Sequence, residues 1–366
     1  MKGIQEAGNL KGKRVLVRID IDDAEINNFP VRVLNPTLSY LKESGARTIL
    51  LGHVGRDKDA SAHKLFEILE KEILLNFIPD LIGKVAHDGI NTMKDGDVVL
   101  LENVRGDTRE IENNEGFAQE LAKLADIYVN DAFSVSHRKH ASVVGVPKYI
   151  PSFAGFQLQA EIQALSKALP PESPSMVILS GAKTETKLPL IKKFITSYDF
   201  VFVGGVPANN FLKEKGLEIG ASIISSEHID ISSIVNNKKI IIPTDVVVIK
   251  DGVPNTKKVD GVLPGEKIVD VGPETVRELK EKISHMSCVL WNGPLGEYER
   301  GFDAATKDLA RIIAESNAHT LVGGGDTLSA IAELGLEGNY SFISTGGGAM
   351  LQFLLDGTLP GIEALN

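Results

Sequence analysis

The sequence predicts an α/β protein of two Rossmann-like, three-layer α/β/α lobes built on parallel sheets and joined by a hinge helix. Three observations carry that prediction. The apolar runs are of strand length and nearly uniform in apolarity, as expected of strands covered on both faces. Segments of helical spacing alternate with them. A chain of 366 residues with 43% hydrophobic content is long enough for about two cores.

The first series of runs is "RVLVRID", "ARTILLGHV", "DVVLLENV" and "DIYVNDAF", ending near residues 20, 54, 104 and 133. Between them, "NPTLSYLKESG" and "NEGFAQELAKLA" have helical spacing. In "PSFAGFQLQAEIQALSKALPPESP", Phe153, Phe156, Ile162 and Leu165 suit one helical face before a Pro-rich stop, which makes residues 153–172 a connecting helix and hinge. The first lobe therefore covers residues 1–152. The second series, "SMVILSGAK", "DFVFVGG", "KIIIPTDVVV", "CVLWNGP", "HTLVGGGD" and "FISTGGG", assigns residues 173–355 to the second lobe.

Composition narrows the function. The start, "MKGIQEAGNLKGKRVLV", lacks an apolar h-region, and no run reaches the roughly 18 apolar residues of a membrane span, so a soluble cytoplasmic protein is expected. Cys288, the one cysteine, lies in the apolar "CVLW", which excludes an internal disulfide and a cysteine metal site. A formal net charge of -10 argues against nucleic-acid binding. Any anion site must be local.

Ligands of open parallel sheets gather beyond the carboxyl ends of the strands. At those positions the first lobe carries Arg18 and Asp20, His53 and Arg56 in "GHVGR", Arg105 in "ENVR", then His137 and Arg138. Residues 1–150 hold 20 Lys plus Arg against 23 Asp plus Glu, so the cations are clustered by placement rather than by bulk charge. Arginine forks and imidazoles on one rim suit a small polyanion. In the second lobe the strand ends "SGAK", "VGGVP", "WNGPLG", "VGGGDT" and "STGGGA" are glycine-rich, which lets backbone N–H groups approach a phosphate at a helix start. Lys183 and Lys187 stand four apart, roughly 5 to 6 Å if helical, and read either as an exposed pair or as two phosphate ligands. Asp326 reads either as an ordinary N-cap or as a hard-cation ligand for Mg²⁺. No P-loop and no protein-kinase motif set is present.

In order along the chain, "VLVRID", "GHVGR", "LENVR", "VNDAFSVSHRKHAS", "SGAKTETK", "WNGPLG", "VGGGDT" and "STGGGA" resemble phosphoglycerate kinase. The resemblance implies 3-phosphoglycerate on the N-terminal lobe, Mg²⁺ with ATP or ADP on the C-terminal lobe, a tail at residues 356–366 returning to the first lobe, and a monomer. It implies reversible phosphoryl transfer to the 3-phosphoglycerate carboxylate, giving 1,3-bisphosphoglycerate and ADP after hinge closure. By motif, Asp20, Asp22, Arg32, His53, Arg56, Arg105 and Arg138 look like the substrate-binding set, with Arg32 also near the moving phosphoryl group. His137 and His140 would support the loop and Lys139 would be solvated. Lys183 and Lys187 look like the phosphate-binding lysines, Asp326 the Mg²⁺–nucleotide carboxylate, Thr327 its neighbour and Glu299 the ribose contact. Asn292, Gly204, Gly205 and Gly325 would serve the nucleotide pocket, and Gly324 and the Gly346–Gly348 run, Gly347 above all, the phosphoryl group. The catalytic set implied is Arg32, Lys183, Gly324 and Gly347.

Three features depart from that family's pattern. Asp22 stands where a neutral Asn is usual, Val206 where a third Gly is expected, and Gly106 where an aromatic is common. A dinucleotide-dependent oxidoreductase would also explain glycine-rich strand ends, but no G-x-G-x-x-G with a following acidic residue is present. A non-catalytic binding homologue is the second alternative.

Overall fold

The computed structural model describes residues 1–20, 29–55, 59–226 and 229–366, and side chains in the first long helix from residue 34 onward. Asp22 and Arg56, and the side chain of Arg32, lie outside the described residues. The chain divides into two compact units, Met1–Gln163 with Asp356–Asn366, and Ala164–Leu355. The division falls inside the connecting helix.

The first unit runs β1 (Arg14–Arg18), α1 (Phe29–Glu43), β2 (Arg47–Leu51), α2 (His63–Leu69), β3 (Asn76–Phe77), α3 (Lys84–Asn91), β4 (Val98–Leu100), α4 (Glu115–Ala122), β5 (Ile127–Asn130), β6 (Ser152–Ala154) and α5 (Phe156–Ser166). Among the described residues the strands form one parallel sheet of order β3-β4-β2-β1-β5-β6. The apolar residues of β1, β2 and β5 are buried, which is why their sequences read as continuous rather than alternating apolar runs. Arg18 pairs in register with Leu51 and with Asn130, so three strands end at one level. The chain leaves β1 toward β2 and later returns on the other side to β5. That switch in strand order opens the crevice where such sheets bind ligands.

Asp131, the first residue past β5, is turned to structure rather than to a ligand. Its Oδ1 accepts the N–H groups of Gln157 at 2.9 Å and Leu158 at 3.1 Å, capping the start of α5. Burial pushes its carboxyl up to about 6 against those hydrogen bonds. Gly155 is required there, since a Cβ would sit 2.1 Å from Asp131 Oδ1.

The second unit contains β7 (Ser175–Leu179), α6 (Thr184–Ser197), β8 (Phe200–Val203), α7 (Gly205–Glu214), β9 (Ile240–Ile241), β10 (Asp245–Lys250), β11 (Val253–Lys258), β12 (Lys267–Val271), α8 (Pro273–Ile283), β13 (Cys288–Asn292), α9 (Ala304–Ala314), β14 (His319–Gly323), α10 (Gly325–Glu333), β15 (Phe342–Ser344) and α11 (Gly347–Asp356). Its main sheet is parallel, of order β15-β14-β13-β7-β8-β9, and its switch in strand order lies between β7 and β13. Cys288 and Trp291 are buried on β13.

One expectation needs correction here. The run "KIIIPTDVVV" is two strands, not one. β9 joins the parallel sheet, and β10 lies in a separate antiparallel sheet of order β11-β10-β12. Pro243 separates them; it lacks the N–H a ladder needs, and the chain changes sheet at that point. The short β3 and β6 were also invisible as runs, and Phe153, expected on the connecting helix, pairs with Val129 in β6, so that helix starts only at Phe156.

The last residues, including α12 (Pro360–Glu363), group with the first unit. Gly361 donates its N–H to Ser136 O at 2.8 Å and accepts from Asn130 Nδ2 at 3.4 Å. The tail thus braces the loop that follows β5.

Candidate functional site

Parallel strands followed by helices place strand carboxyl ends and helix N-termini on one edge, so each unit presents one edge able to hold anions. In the first unit that edge collects Asp20, His53, Arg105, His137, Arg138 and His140. Arg105 follows β4 in a 3-10 turn whose N-cap Asn103 accepts its N–H at 3.0 Å. Its Nη1 donates to Gly55 O at 2.5 Å, while its Nη2 is buried with no hydrogen-bond partner among the described residues. Arg138 is half-buried and makes no ion pair with an acid among the described residues. An unsatisfied buried guanidinium nitrogen is costly unless a ligand completes it. Arg105 is therefore arranged to take an anion, and Arg138 offers its charge beside it with no carboxylate partner among the described residues.

Arg18 differs from its expected place on the rim. It is fully buried, and its donors go inward to Ile19 O, to Leu51 O at 3.5 Å, to Ser142 Oγ at 2.9 Å and to His53 Nδ1 at 3.2 Å. A strand buried on both faces has no rim side for a residue still inside the ladder, and Arg18 is the last paired residue of β1. His53 is 3% exposed, and burial first, then the positive charges of Arg18 and Arg138 and the neighbouring His140, lower it to about 2. It is neutral at physiological pH. Its contact of 3.6 Å with Asp20 Oδ1 is thus no ion pair. Asp20 accepts the Ser134 hydroxyl, which fixes the carboxylate at the edge.

His140 is lowered to about 4 by burial and by the charges of Arg138 and Arg18, and burial also lowers His137. Lys139 is exposed. Burial first, and at His53 and His140 the neighbouring arginine charges as well, disfavour a positive charge on these rings. Two residues here carried no legible signal: Glu110 and Ser142. Glu110 is fully buried and accepts Ser142 N at 2.8 Å and Ser142 Oγ at 2.6 Å.

In the second unit the helices α6, α7, α10 and α11 start at the carboxyl edge of the sheet. Lys187, in α6, is 6% exposed, and its amine donates to Asn292 Oδ1 at the end of β13. Burial alone depresses the amine to about 7. An ammonium with a single amide acceptor and no carboxylate is poised for an anionic ligand. Lys183 does not pair with it on one helical face. The helix begins at Thr184, and Lys183 is the exposed N-cap residue in extended conformation.

A cavity of about 290 Å³ opens beside this edge, lined by Gly181, Gly205, Val206, Leu295, Glu299 and Asp326 among others. Gly204 and Asn292 do not line it. Gly205 has φ +58, and a Cβ there would lie 2.5 Å from Gly181 O, so the loops at the ends of β7 and β8 touch through bare backbone. Asp326 sits half-buried in the first turn of α10, with Gly324 as N-cap and Gly325 as first residue. Its carboxylate makes no side-chain hydrogen bond or ion pair among the described residues, and burial, then the charge of Glu299, raise its carboxyl. Two carboxylates facing one cavity suit a hard cation or sugar hydroxyls. Among the described residues no group of three or more His, Cys, Asp and Glu could hold a metal ion, so a cation here would take further oxygens from its ligand. Thr327 is buried and accepts Gly293 N at 3.1 Å, which ties α10 to the turn after β13. Gly347 starts α11, and Gly346 N donates to Ser344 Oγ at 3.2 Å.

Comparison with known proteins follows the same order along the chain. A family model described as phosphoglycerate kinase matches residues 4–357. The chain is 40% identical to the phosphoglycerate kinase of Thermosipho africanus over 389 aligned positions, covering 98% of this chain and 96% of that protein. It is 40% identical to that of Dictyoglomus turgidum, with the same two coverages, 98% and 96%. Among solved structures it resembles phosphoglycerate kinase from Coxiella burnetii, with TM-score 0.84 and 34% identity over 99% of this chain and 98% of that one. It also resembles the enzyme from Pyrococcus horikoshii, with TM-score 0.86 and 28% identity over 100% and 98% of the two chains.

Proposed function

The chain belongs to the phosphoglycerate kinase family, and from that premise we propose that it transfers a phosphoryl group reversibly between ATP and the carboxylate of 3-phosphoglycerate, giving ADP and 1,3-bisphosphoglycerate. The observation that carries the reading is the presence of lone cations on both edges. Among the described residues, Arg105 and Arg138 on one unit, and Lys187 on the other, are held without carboxylate partners.

The acceptor carboxylate is already ionised at pH 7, with an ordinary pKa of roughly 3.5 to 4, so no general base is needed. The protein's work is to bind, orient and neutralise. Arg105 and Arg138 bind the anionic substrate, and neutral His53 donates a hydrogen bond to it beside Asp20. Asp22, Arg32 and Arg56 belong to the same set by motif. Lys187 meets the nucleotide phosphates, the N-termini of α10 and α11 with Gly324 and Gly347 stabilise charge on the moving group, and Lys183 reaches in from the surface. The cavity takes the base against Val206 and Leu295, with Glu299 at the ribose.

Asp326 fits Mg²⁺: it is a half-buried hard-oxygen donor at a helix start, and Mg²⁺ binds through one or two carboxylates plus substrate phosphates. Bound there, Mg²⁺ would supply charge neutralisation to the nucleotide phosphates. In-line transfer also requires both reactants to be brought together with water excluded, by bending around residues 150–172. Both edges come from one chain, so a monomer suffices for the reaction. No helix among the described residues is long and apolar enough to cross a membrane.

The test is a coupled assay. ATP with 3-phosphoglycerate should yield ADP in proportion to enzyme. Binding of both compounds without ADP formation would overturn the reading in favour of a non-catalytic homologue.

A further inference from the structure

Beneath the first unit's anion edge runs a chain of buried hydrogen bonds that begins at Glu110 and ends at His53. Glu110 Oε1 lies 2.6 Å from Ser142 Oγ, Ser142 Oγ lies 2.9 Å from Arg18 Nε, and Arg18 Nη2 lies 3.2 Å from His53 Nδ1. Glu110, Ser142 and Arg18 are all fully buried. The sense of every bond is forced by the chemistry of its members. A guanidinium only donates, so Ser142 Oγ must accept from Arg18 and spend its single proton on Glu110. The same rule makes His53 Nδ1 an acceptor. A neutral imidazole that accepts at Nδ1 carries its proton on Nε2.

The other tautomer has a partner within reach. With the proton on Nδ1, the ring would turn that proton toward Asp20 Oδ1, 3.6 Å away, while meeting the Arg18 N–H head on. What holds Arg18 in place therefore keeps Nδ1 an acceptor. Nη1 of Arg18 is engaged by Ile19 O and Leu51 O, and Nε by Ser142 alone. Ser142 is in turn held twice by Glu110, through its hydroxyl and through its N–H at 2.8 Å. Burial raises the Glu110 carboxyl, while Arg18 and the two hydrogen bonds from Ser142 oppose the shift.

We propose that Glu110 is a positioning residue for the anion edge: through Ser142 and Arg18 it fixes His53 as the tautomer protonated at Nε2, the form that donates to the anionic substrate. This rests on the reading that His53 contacts 3-phosphoglycerate. Glu110 itself touches no substrate; it acts at a distance of two side chains. Nothing in the sequence marks it, since "GDTREIENN" reads as a polar turn.

The experiment uses the full chain with ¹⁵N-labelled histidine, which distinguishes the two ring nitrogens by shift and coupling. His53 should appear as the Nε2–H tautomer in the unsubstituted protein; an Nδ1–H tautomer there overturns the proposal outright. Ser142→Ala removes the relay without changing charge, and Glu110→Gln keeps an acceptor but removes the charge. Each should mix the tautomers and raise the KM for 3-phosphoglycerate about tenfold, the scale of one lost charge-assisted hydrogen bond, while leaving the KM for Mg–ATP unchanged. Ser142→Thr retains the hydroxyl and should restore both readouts. Ser142→Ala with an unaltered tautomer and an unaltered substrate KM refutes the relay, and its nucleotide KM serves as the check that the chain is folded. His53→Ala separates the two readings. If that variant keeps full affinity for 3-phosphoglycerate, the assignment of His53 to the substrate fails; if it loses affinity while Ser142→Ala does not, only the relay fails.

Discussion

Lys187→Met should make the ligand-free protein more stable and the enzyme inactive. Burial lowers the amine from its ordinary 10.5 to about 7, which corresponds to a cost of about 5 kcal/mol for holding the ammonium in the fold at low pH, at about 1.36 kcal/mol per factor of ten. Against this gain, methionine leaves Asn292 Oδ1 without its donor, a loss of about 1 to 3 kcal/mol for a buried acceptor. The net expectation is stabilisation by about 3 kcal/mol, or an increase of about 1.5 M in the urea midpoint for a slope of about 2 kcal/mol per molar. The sign with pH follows from the direction of the shift. Because the folded pKa is depressed, the unfolded chain binds the extra proton, and the penalty is fully present below about 7 and lost as pH rises toward 10.5. The advantage of methionine should thus shrink between those values and reverse above them, where only the lost Asn292 hydrogen bond remains. Trp291, the one tryptophan of the chain, is buried on β13 next to Asn292 and reports unfolding of this unit by fluorescence. A Lys187→Met protein that is less stable than the parent at pH 7, or that binds Mg–ADP with undiminished affinity, would refute the reasoning.

Three further outcomes follow from the second unit. Gly293 has φ +96 and a Cβ there would lie 2.2 Å from Ser180 O, so Gly293→Ala should cost at least about 2 kcal/mol in denaturant unfolding and weaken nucleotide binding with it. Val206 narrows the cavity, so Val206→Gly should lower the KM for ATP analogues enlarged at the base while leaving the KM for 3-phosphoglycerate unchanged. Asp326→Asn should raise the Mg²⁺ concentration needed for half-maximal rate at least tenfold, measured by metal titration of the coupled assay.

How much of this was written in the sequence depends on range. The parallel strands were legible because burial on both faces leaves uniform apolar runs, as in "RVLVR" and "CVLWN". The glycines and the lone cations stood at strand ends, where local sequence reveals them. The antiparallel sheet was not legible, because β9 and β10 share one apolar run and only Pro243 divides them. Arg18 was misplaced on the rim because its acceptor Ser142 lies 124 residues away, and Glu110 completes the pair from a polar turn. Periodicity reports which face a residue takes; it carries nothing about a distant partner that makes a buried charge tolerable. For the same reason Lys183 and Lys187 looked equivalent, whereas the start of α6 at Thr184 leaves one exposed and buries the other.

That each unit holds one reactant is tested most directly by calorimetric titration of 3-phosphoglycerate and of Mg–ADP, separately, into Arg138→Ala and Lys187→Met proteins. Arg138→Ala should lose affinity for 3-phosphoglycerate at least tenfold and bind Mg–ADP as before, and Lys187→Met should do the reverse. If either substitution weakens both ligands alike, or weakens the other unit's ligand alone, the two reactants do not divide between the two edges in this way.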